Sequence, residues 1–360
     1  MYMKSIPSTS SSDRGYHTAY VIVLLLLFLS VGFMGVRQGS GNLENNFYQK
    51  NLLIENFNRI RLKLGDRVFN NVLVGKNGWM EFTADHNLDD YQNVQPLSRK
   101  SLKNMGRNIQ SCYQYAQEQG ITFLIVVPPN KASIYPDKLP DQIQPLSDQS
   151  RLDQLNEYLE GQGIPKVLDL RPALREARQR QDVYYQMGTH WNETGAYVAY
   201  AEIIKTLAVD HPELVPYPDK FLRFRQDTES ANARGDKEIA RMIQANYLRL
   251  EPNLFATRNV LEIVNRINLP GTTIGYHRMT WIPGSDLPTL MMFHDSFGVA
   301  GLNSFLSLNF SKVSYIFRQA SADFLNRKTI EVFAPDVVIY EVVERNLNVM
   351  EENLAGCAAE

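Results

Sequence analysis

The chain is poor in cysteine, has no excess of either charge and carries few long apolar runs. Two cysteines among 360 residues, Cys112 and Cys357, are too few for a disulfide scaffold or a cysteine-ligated zinc centre. Basic and acidic residues nearly balance, 37 against 39, so the basic excess of a dedicated nucleic-acid binder is missing. A mean hydropathy of −0.29 excludes a polytopic membrane protein. No G-x-G-x-x-G, Walker A, H-E-x-x-H or EF-hand pattern occurs, and His17, His86, His190, His211, His277 and His294 are scattered. Neither a metal nor a cofactor is therefore expected. With 44% hydrophobic and 11% aromatic residues, the chain has ample material for a core and is not a disordered or fibrous sequence.

One apolar run stands apart. Ala19 to Val36 reads AYVIVLLLLFLSVGFMGV, 18 residues without a charge and long enough to cross a hydrocarbon core with some thinning of the bilayer. The alternative is a cleaved signal peptide, but its apolar region would be shorter and no clear small-residue cleavage site precedes Arg37, so an uncleaved anchor over residues 16–37 is expected, with a short cytoplasmic tail before it at 1–15. Polar segments on either side read as tail and linker. The last four residues, Cys357-Ala-Ala-Glu360, match a C-a-a-X box in form only, since Glu is not a usual final residue.

Beyond the anchor, helix-like and strand-like patterns alternate. Ser101 to Gln119 has helical spacing and stops at Gly120, and ITFLIVV (Ile121 to Val127) then runs apolar to Pro128-Pro129 as a strand buried on both faces does. Further helices are expected over 148–159, 172–181, 192–207, 302–308 and 322–334, and strands over 166–170, 289–293, 314–317 and 337–343. Asn192 is a candidate N-cap. The pattern implies an α/β fold with a mostly parallel sheet flanked by helices. Residues 210–286 have few clean periodicities and read as an insertion or a cap over the sheet. The two cysteines show no evident need to pair.

Two junctions carry chemistry. In Phe293-His294-Asp295-Ser296-Phe297-Gly298, a serine follows a strand and precedes a helix, at the edge where open α/β sheets bind ligands. Such a turn exposes a hydroxyl and brings backbone N–H groups to a forming oxyanion, although Asp295-Ser296 would also serve as an ordinary helix cap. In Gly188-Thr189-His190-Trp191-Asn192, a histidine stands where it could take the serine proton, or pack as a loop residue beside Trp191. Asn130, after the first apolar strand, and Arg345, after the last, are candidate oxyanion or substrate contacts, against a turn-forming and a structural role. Trp79 and Trp191 read as core residues before sugar-stacking ones.

The string YYQMGTHWNETGAYVAY (Tyr184 to Tyr200) resembles the D-T-H-W block of the SGNH-hydrolase-like proteins of alginate O-acetylation, the AlgJ and AlgX type, and MFHDSFG resembles their D-S-F block. Gly75-Lys76-Asn77-Gly78-Trp79, Val127-Pro128-Pro129-Asn130-Lys131, Gly235-Asp236, Pro335-Asp336-Val337-Val338 and Glu344-Arg345 follow in family order. The resemblance implies an SGNH-hydrolase-like (flavodoxin-like) domain over residues 65–348 with an insertion at about 210–286, a linker at 38–64 and a tail at 349–360. It implies an extracytoplasmic transferase in the cell inner membrane that moves acetyl groups onto hydroxyls of an exopolysaccharide, supplied by a membrane-bound O-acyltransferase partner. Ser296 is then the nucleophile and His190 the base. One residue departs from the pattern: where the family has its triad Asp, this chain has Gly188. A nearby acid such as Asp182 could compensate, a Ser–His dyad could act with a backbone carbonyl orienting the ring, or the site is degenerate and the protein is an accessory that binds polysaccharide or partners. Asp295 is not expected to be the acid.

Overall fold

The computed structural model describes residues 21–26, 50–218, 224–227, 237–245, 247–248, 253–256, 263–268, 277–317, 325 and 327–357. The chain divides into two units, Met1–Ile60 and Arg61–Glu360, and among the described residues every strand lies in the second. The expected anchor at 16–37 lies outside the described residues except for 21–26, which are helical. Among the described residues no helix is long and apolar enough to cross a membrane.

The second unit opens with a small antiparallel sheet, β1 (Val68–Phe69), β2 (Val72–Val74) and β3 (Met80–Phe82). The main sheet follows, with strands β4 (Thr122–Val127) and β5 (Leu168–Asp169). A detached pair, β6 (Phe224–Asp227) with β7 (Asn253–Ala256), comes next. Strands β8 (Asn265–Asn268), β9 (His277–Trp281), β10 (Thr289–His294), β11 (Lys312–Phe317) and β12 (Val337–Glu341) complete the main sheet. Its order is β5-β4-β12-β10-β11-β9-β8. The first five in that order are parallel, as expected; β9 and β8 are antiparallel and extend the β11 edge. Both come from the segment read as an insertion, so part of it belongs to the main sheet instead of covering it.

Period-two alternation in the apolar strands divides the interior into two cores. Leu124, Val126, Leu290, Met292, Val337 and Ile339 face one core, with the helices Arg171–Ala177 and Glu193–Leu207 packed on them. Phe123, Ile125, Val127, Met291, Phe293, Val338 and Tyr340 face the other, under Arg99–Glu118 and Arg151–Gly161. The helix ends follow their local chemistry. Ser98 accepts the Ser101 N–H at 3.0 Å, and Ser150 with Asp153 forms a reciprocal capping box. Asn192 caps its helix by accepting from Gly195 N at 3.0 Å.

Two expectations at the chain end need correction. The described part of the segment read as a tail forms a helix, Met350–Asn353, and a turn to Cys357 in which Leu354 and Cys357 are buried. Cys357 is joined to Cys112 of the helix Arg99–Glu118 by a disulfide, so the thiols do pair. The short segment has no readable periodicity, so it gave no sign that Met350, Leu354 and Cys357 complete the second core.

Candidate active site

The parallel strands deliver their candidate residues to one edge. β10 ends at His294 and the chain turns through Asp295 into Ser296. This turn is braced by two acids. The Asp295 carboxylate accepts from Phe297 N at 2.8 Å and from Val343 N at 2.9 Å, tying the turn to the chain after β12. Asp295 N in turn donates to Glu341 Oε2 at 2.8 Å. Asp295 thus ties the turn together through two backbone N–H groups, and the Phe297 N–H is already engaged and unavailable to an oxyanion. Buried His294 is pushed down to about 4 by desolvation. It is therefore neutral: its Nδ1–H donates to Asp295 O at 2.8 Å while Nε2 accepts from Asn303 at 3.2 Å. Gly298 lies directly against that ring. A Cβ there would stand 2.7 Å from His294 Nδ1 and 2.9 Å from Asn303 Oδ1, so the turn has room only for glycine.

The histidine loop is fixed from both sides. Tyr184 and Trp191 form an isolated antiparallel bridge, and fully buried Trp191 packs edge-on to Phe297 with ring centroids 5.0 Å apart. Gly195 lets the following helix begin close beside Val183, since a Cβ would meet Val183 O at 2.2 Å. His190 is left between these anchors with its ring 4.9 Å from that of Phe297. His190 Nε2 lies 2.8 Å from Ser296 Oγ, the pairing expected of base and nucleophile. Trp191 and Trp79 are both core residues, Trp79 stacking on Tyr135 at 4.3 Å.

Gly188 offers no carboxylate, and its carbonyl is held by Lys131 Nζ at 2.7 Å. The same ammonium donates to Met80 O, so it pins the histidine loop to β3. Burial pushes Lys131 down to about 8, with Glu81 and Glu238 opposing that shift. The Asp182 carboxylate accepts from Tyr135 OH at 3.2 Å and its carbonyl from Asn192. The acid at the histidine is Glu238, with Oε2 3.3 Å from His190 Nδ1. The hydrogen bond from His190 holds the Glu238 carboxyl below its ordinary value against the burial that would raise it, and Thr189 adds a further hydrogen bond. Sequence reading missed this residue. Its one signal was position, three residues after Gly235 in the Gly235-Asp236 block, inside a segment without readable periodicity.

Asn130 and Arg345 come together, but within a buried polar network. Asn130 Nδ2 donates to Asp90 Oδ2 at 2.7 Å, its Oδ1 accepts from Arg345 at 3.3 Å, and its N–H donates to Glu344 at 2.9 Å. Arg151 meets Asp90 at 3.0 Å and Arg171 reaches Glu344 at 3.5 Å. The Arg345 guanidinium also lies 5.9 Å above the Phe297 ring, which links the network to the serine turn. On its outer side, Arg345, Arg151 and Asp90 line a cleft of about 610 Å³ with Asp85, His86 and Asp89. Among the described residues, no group of acidic, histidine or cysteine side chains could hold a metal ion.

A mostly parallel α/β sheet whose carboxyl edge presents a serine beside a histidine fits the SGNH-hydrolase-like class. The chain belongs to the family described as "SGNH hydrolase-like domain, acetyltransferase AlgX", whose model matches residues 72–263. That stretch contains His190 and Glu238 and ends before Ser296. The chain is 28% identical over 166 residues to the "Probable alginate O-acetylase AlgJ" of Pseudomonas syringae pv. tomato, covering 46% of this chain and 40% of that protein. It spans less than half the length of the curated relatives it matches. Two solved structures share the fold. Bacillus cereus PatB1 with a sulfonyl adduct aligns with a TM-score of 0.56 at 14% identity, over 78% of this chain and 96% of that one. The O-acetyltransferase domain of Pseudomonas putida AlgJ aligns with a TM-score of 0.51 at 18% identity, over 78% and 93%.

Proposed function

We propose that this protein is an extracytoplasmic, membrane-anchored O-acetyltransferase that acetylates hydroxyls of a secreted exopolysaccharide through a serine acetyl-enzyme. The observation that carries the reading is the 2.8 Å contact between Ser296 Oγ and His190 Nε2 at the carboxyl edge of the sheet. Ser296 Oγ attacks the acetyl carbonyl carbon while His190 Nε2 takes its proton, giving a tetrahedral oxyanion. Collapse breaks the bond to the donor, whose leaving atom receives the proton from His190. A sugar hydroxyl then gives its proton to His190 and attacks the acetyl-serine. The ester bond to Ser296 breaks, its Oγ regains the proton, and the acetylated sugar leaves. The curated relatives named as alginate O-acetylases support a polysaccharide acceptor, and a membrane-bound O-acyltransferase is the proposed donor partner.

The apolar run at 19–36 supports the inner-membrane anchor, and the buried Cys112–Cys357 disulfide supports an oxidising compartment for the body, since such bonds are rare in the cytosol. Methanesulfonyl fluoride and a chromogenic acetyl ester test the mechanism. The chain should release acetate and gain one sulfonyl group on Ser296, and Ser296→Ala should abolish both. Equal turnover by the two proteins would refute the serine mechanism.

A further inference from the structure

We infer that Glu238 is the positioning acid of the site, taking over from outside the histidine loop the role that a carboxylate at position 188 has in the family pattern. The inference rests on the Ser296–His190 reading and adds a residue on a separate element. His190 has two ring nitrogens, and Nε2 faces Ser296 Oγ at 2.8 Å. Its Nδ1 faces Glu238 Oε2 at 3.3 Å. A carboxylate there fixes the tautomer with the proton on Nδ1, leaves the Nε2 lone pair free for the serine proton, and stabilises the imidazolium that forms. The other acids near the loop are committed elsewhere, Asp295 to two backbone N–H groups and Asp182 to Tyr135.

The placement of Glu238 is built into the fold. It is the first residue of the helix Glu238–Met242, whose Ile239 N–H donates to Met187 O at 2.9 Å. Ile239, Ala240, Ile243 and Ala245 are buried with Phe69, Val72, Met80 and Met187 in a small core of their own. Met80 N donates to Gln186 O at 2.9 Å, and Lys131 joins Met80 O to Gly188 O. The hairpin sheet β1–β3, the histidine loop and the helix bearing the acid therefore form one packed platform. The segment that interrupts the α/β pattern supplies the member of the site that its own motif lacks.

The test compares the full chain with Glu238→Gln, Ser296→Ala and the double variant Glu238→Gln/Gly188→Asp. The side chain of Glu238 is 38% exposed, so the isosteric change leaves the fold intact, checked by circular dichroism. Glu238→Gln should lower kcat for an acetyl ester by about 10²–10⁴-fold with KM little changed, by analogy with loss of the acid in serine proteases. It should also remove the low-field proton resonance of an Nδ1–H bonded to a carboxylate. The family pattern carries its acid at position 188, so Gly188→Asp should restore part of the lost kcat. Wild-type kcat in Glu238→Gln, or a loss of kcat with the low-field proton retained, would overturn the assignment of Glu238. Activity surviving in Ser296→Ala would instead overturn the serine reading on which it rests.

Discussion

Reducing the Cys112–Cys357 bond should destabilise the body strongly while leaving its chemistry in place. The bond closes a loop across a sequence separation of 245 residues and joins the helix Arg99–Glu118 to the turn Ala355–Cys357. Loop-closure entropy for so long a loop amounts to about 5 kcal/mol in the denatured state at 25 °C. A domain is stable by roughly 5–15 kcal/mol in total, so this one bond is a third or more of the margin. Both sulfurs are buried in the core that also holds Met350 and Leu354, so reduction frees the closing segment of that core as well. Urea unfolding with and without dithiothreitol, and of Cys112→Ala/Cys357→Ala, provides the assay. The midpoint should fall, and the melting temperature should drop on the order of 10 °C. Acetyl-ester turnover at 25 °C should stay within about twofold, because neither cysteine touches Ser296 or His190. A stability change below about 1 kcal/mol would refute the reasoning, since it would mean that the denatured chain is not constrained by the bond.

Two further outcomes follow from buried groups. Gly298→Ala forces a Cβ to 2.7 Å from His294 Nδ1, and the ring cannot shift without giving up its hydrogen bonds to Asp295 O and Asn303. Thermal denaturation should show a loss of about 1–3 kcal/mol and the ester assay at least a tenfold fall, and wild-type values in both would refute the tight turn. Desolvation, together with repulsion from Glu344, pushes Asp90 up to about 7. A carboxyl raised above its unfolded value of 3.8 binds its proton more tightly in the folded chain. Its stabilising contribution is complete below that value and is lost as the pH rises through about 7. Denaturant midpoints should therefore be lower at pH 8 than at pH 5, and Asp90→Asn should flatten the difference; an unchanged slope in that variant would assign the dependence to other groups.

What the sequence by itself determined is whatever short-range chemistry encodes. Apolar runs such as ITFLIVV specify strands buried on both faces, Ser98, Ser150 and Asn192 open helices through their own side chains, the block around Ser296 falls on a strand-to-helix junction, and the block around His190 lies in the loop that leads into a helix. These signals need only a few consecutive residues, because caps and periodicity act over one or two turns. The tertiary structure decided which distant residues meet. Glu238 reaches His190 because Ile239 and Ala240 bury against the hairpin sheet, Cys357 reaches Cys112 because the chain end completes a core, and Asn130 and Arg345 meet in a network spread over several strand ends. None of these pairings leaves a mark in local pattern, since each is held by packing energy summed over surfaces that the chain brings together only on folding. The acid missing from the histidine motif at Gly188 is such a case: its place in the sequence is empty, and its place beside the ring is filled by Glu238.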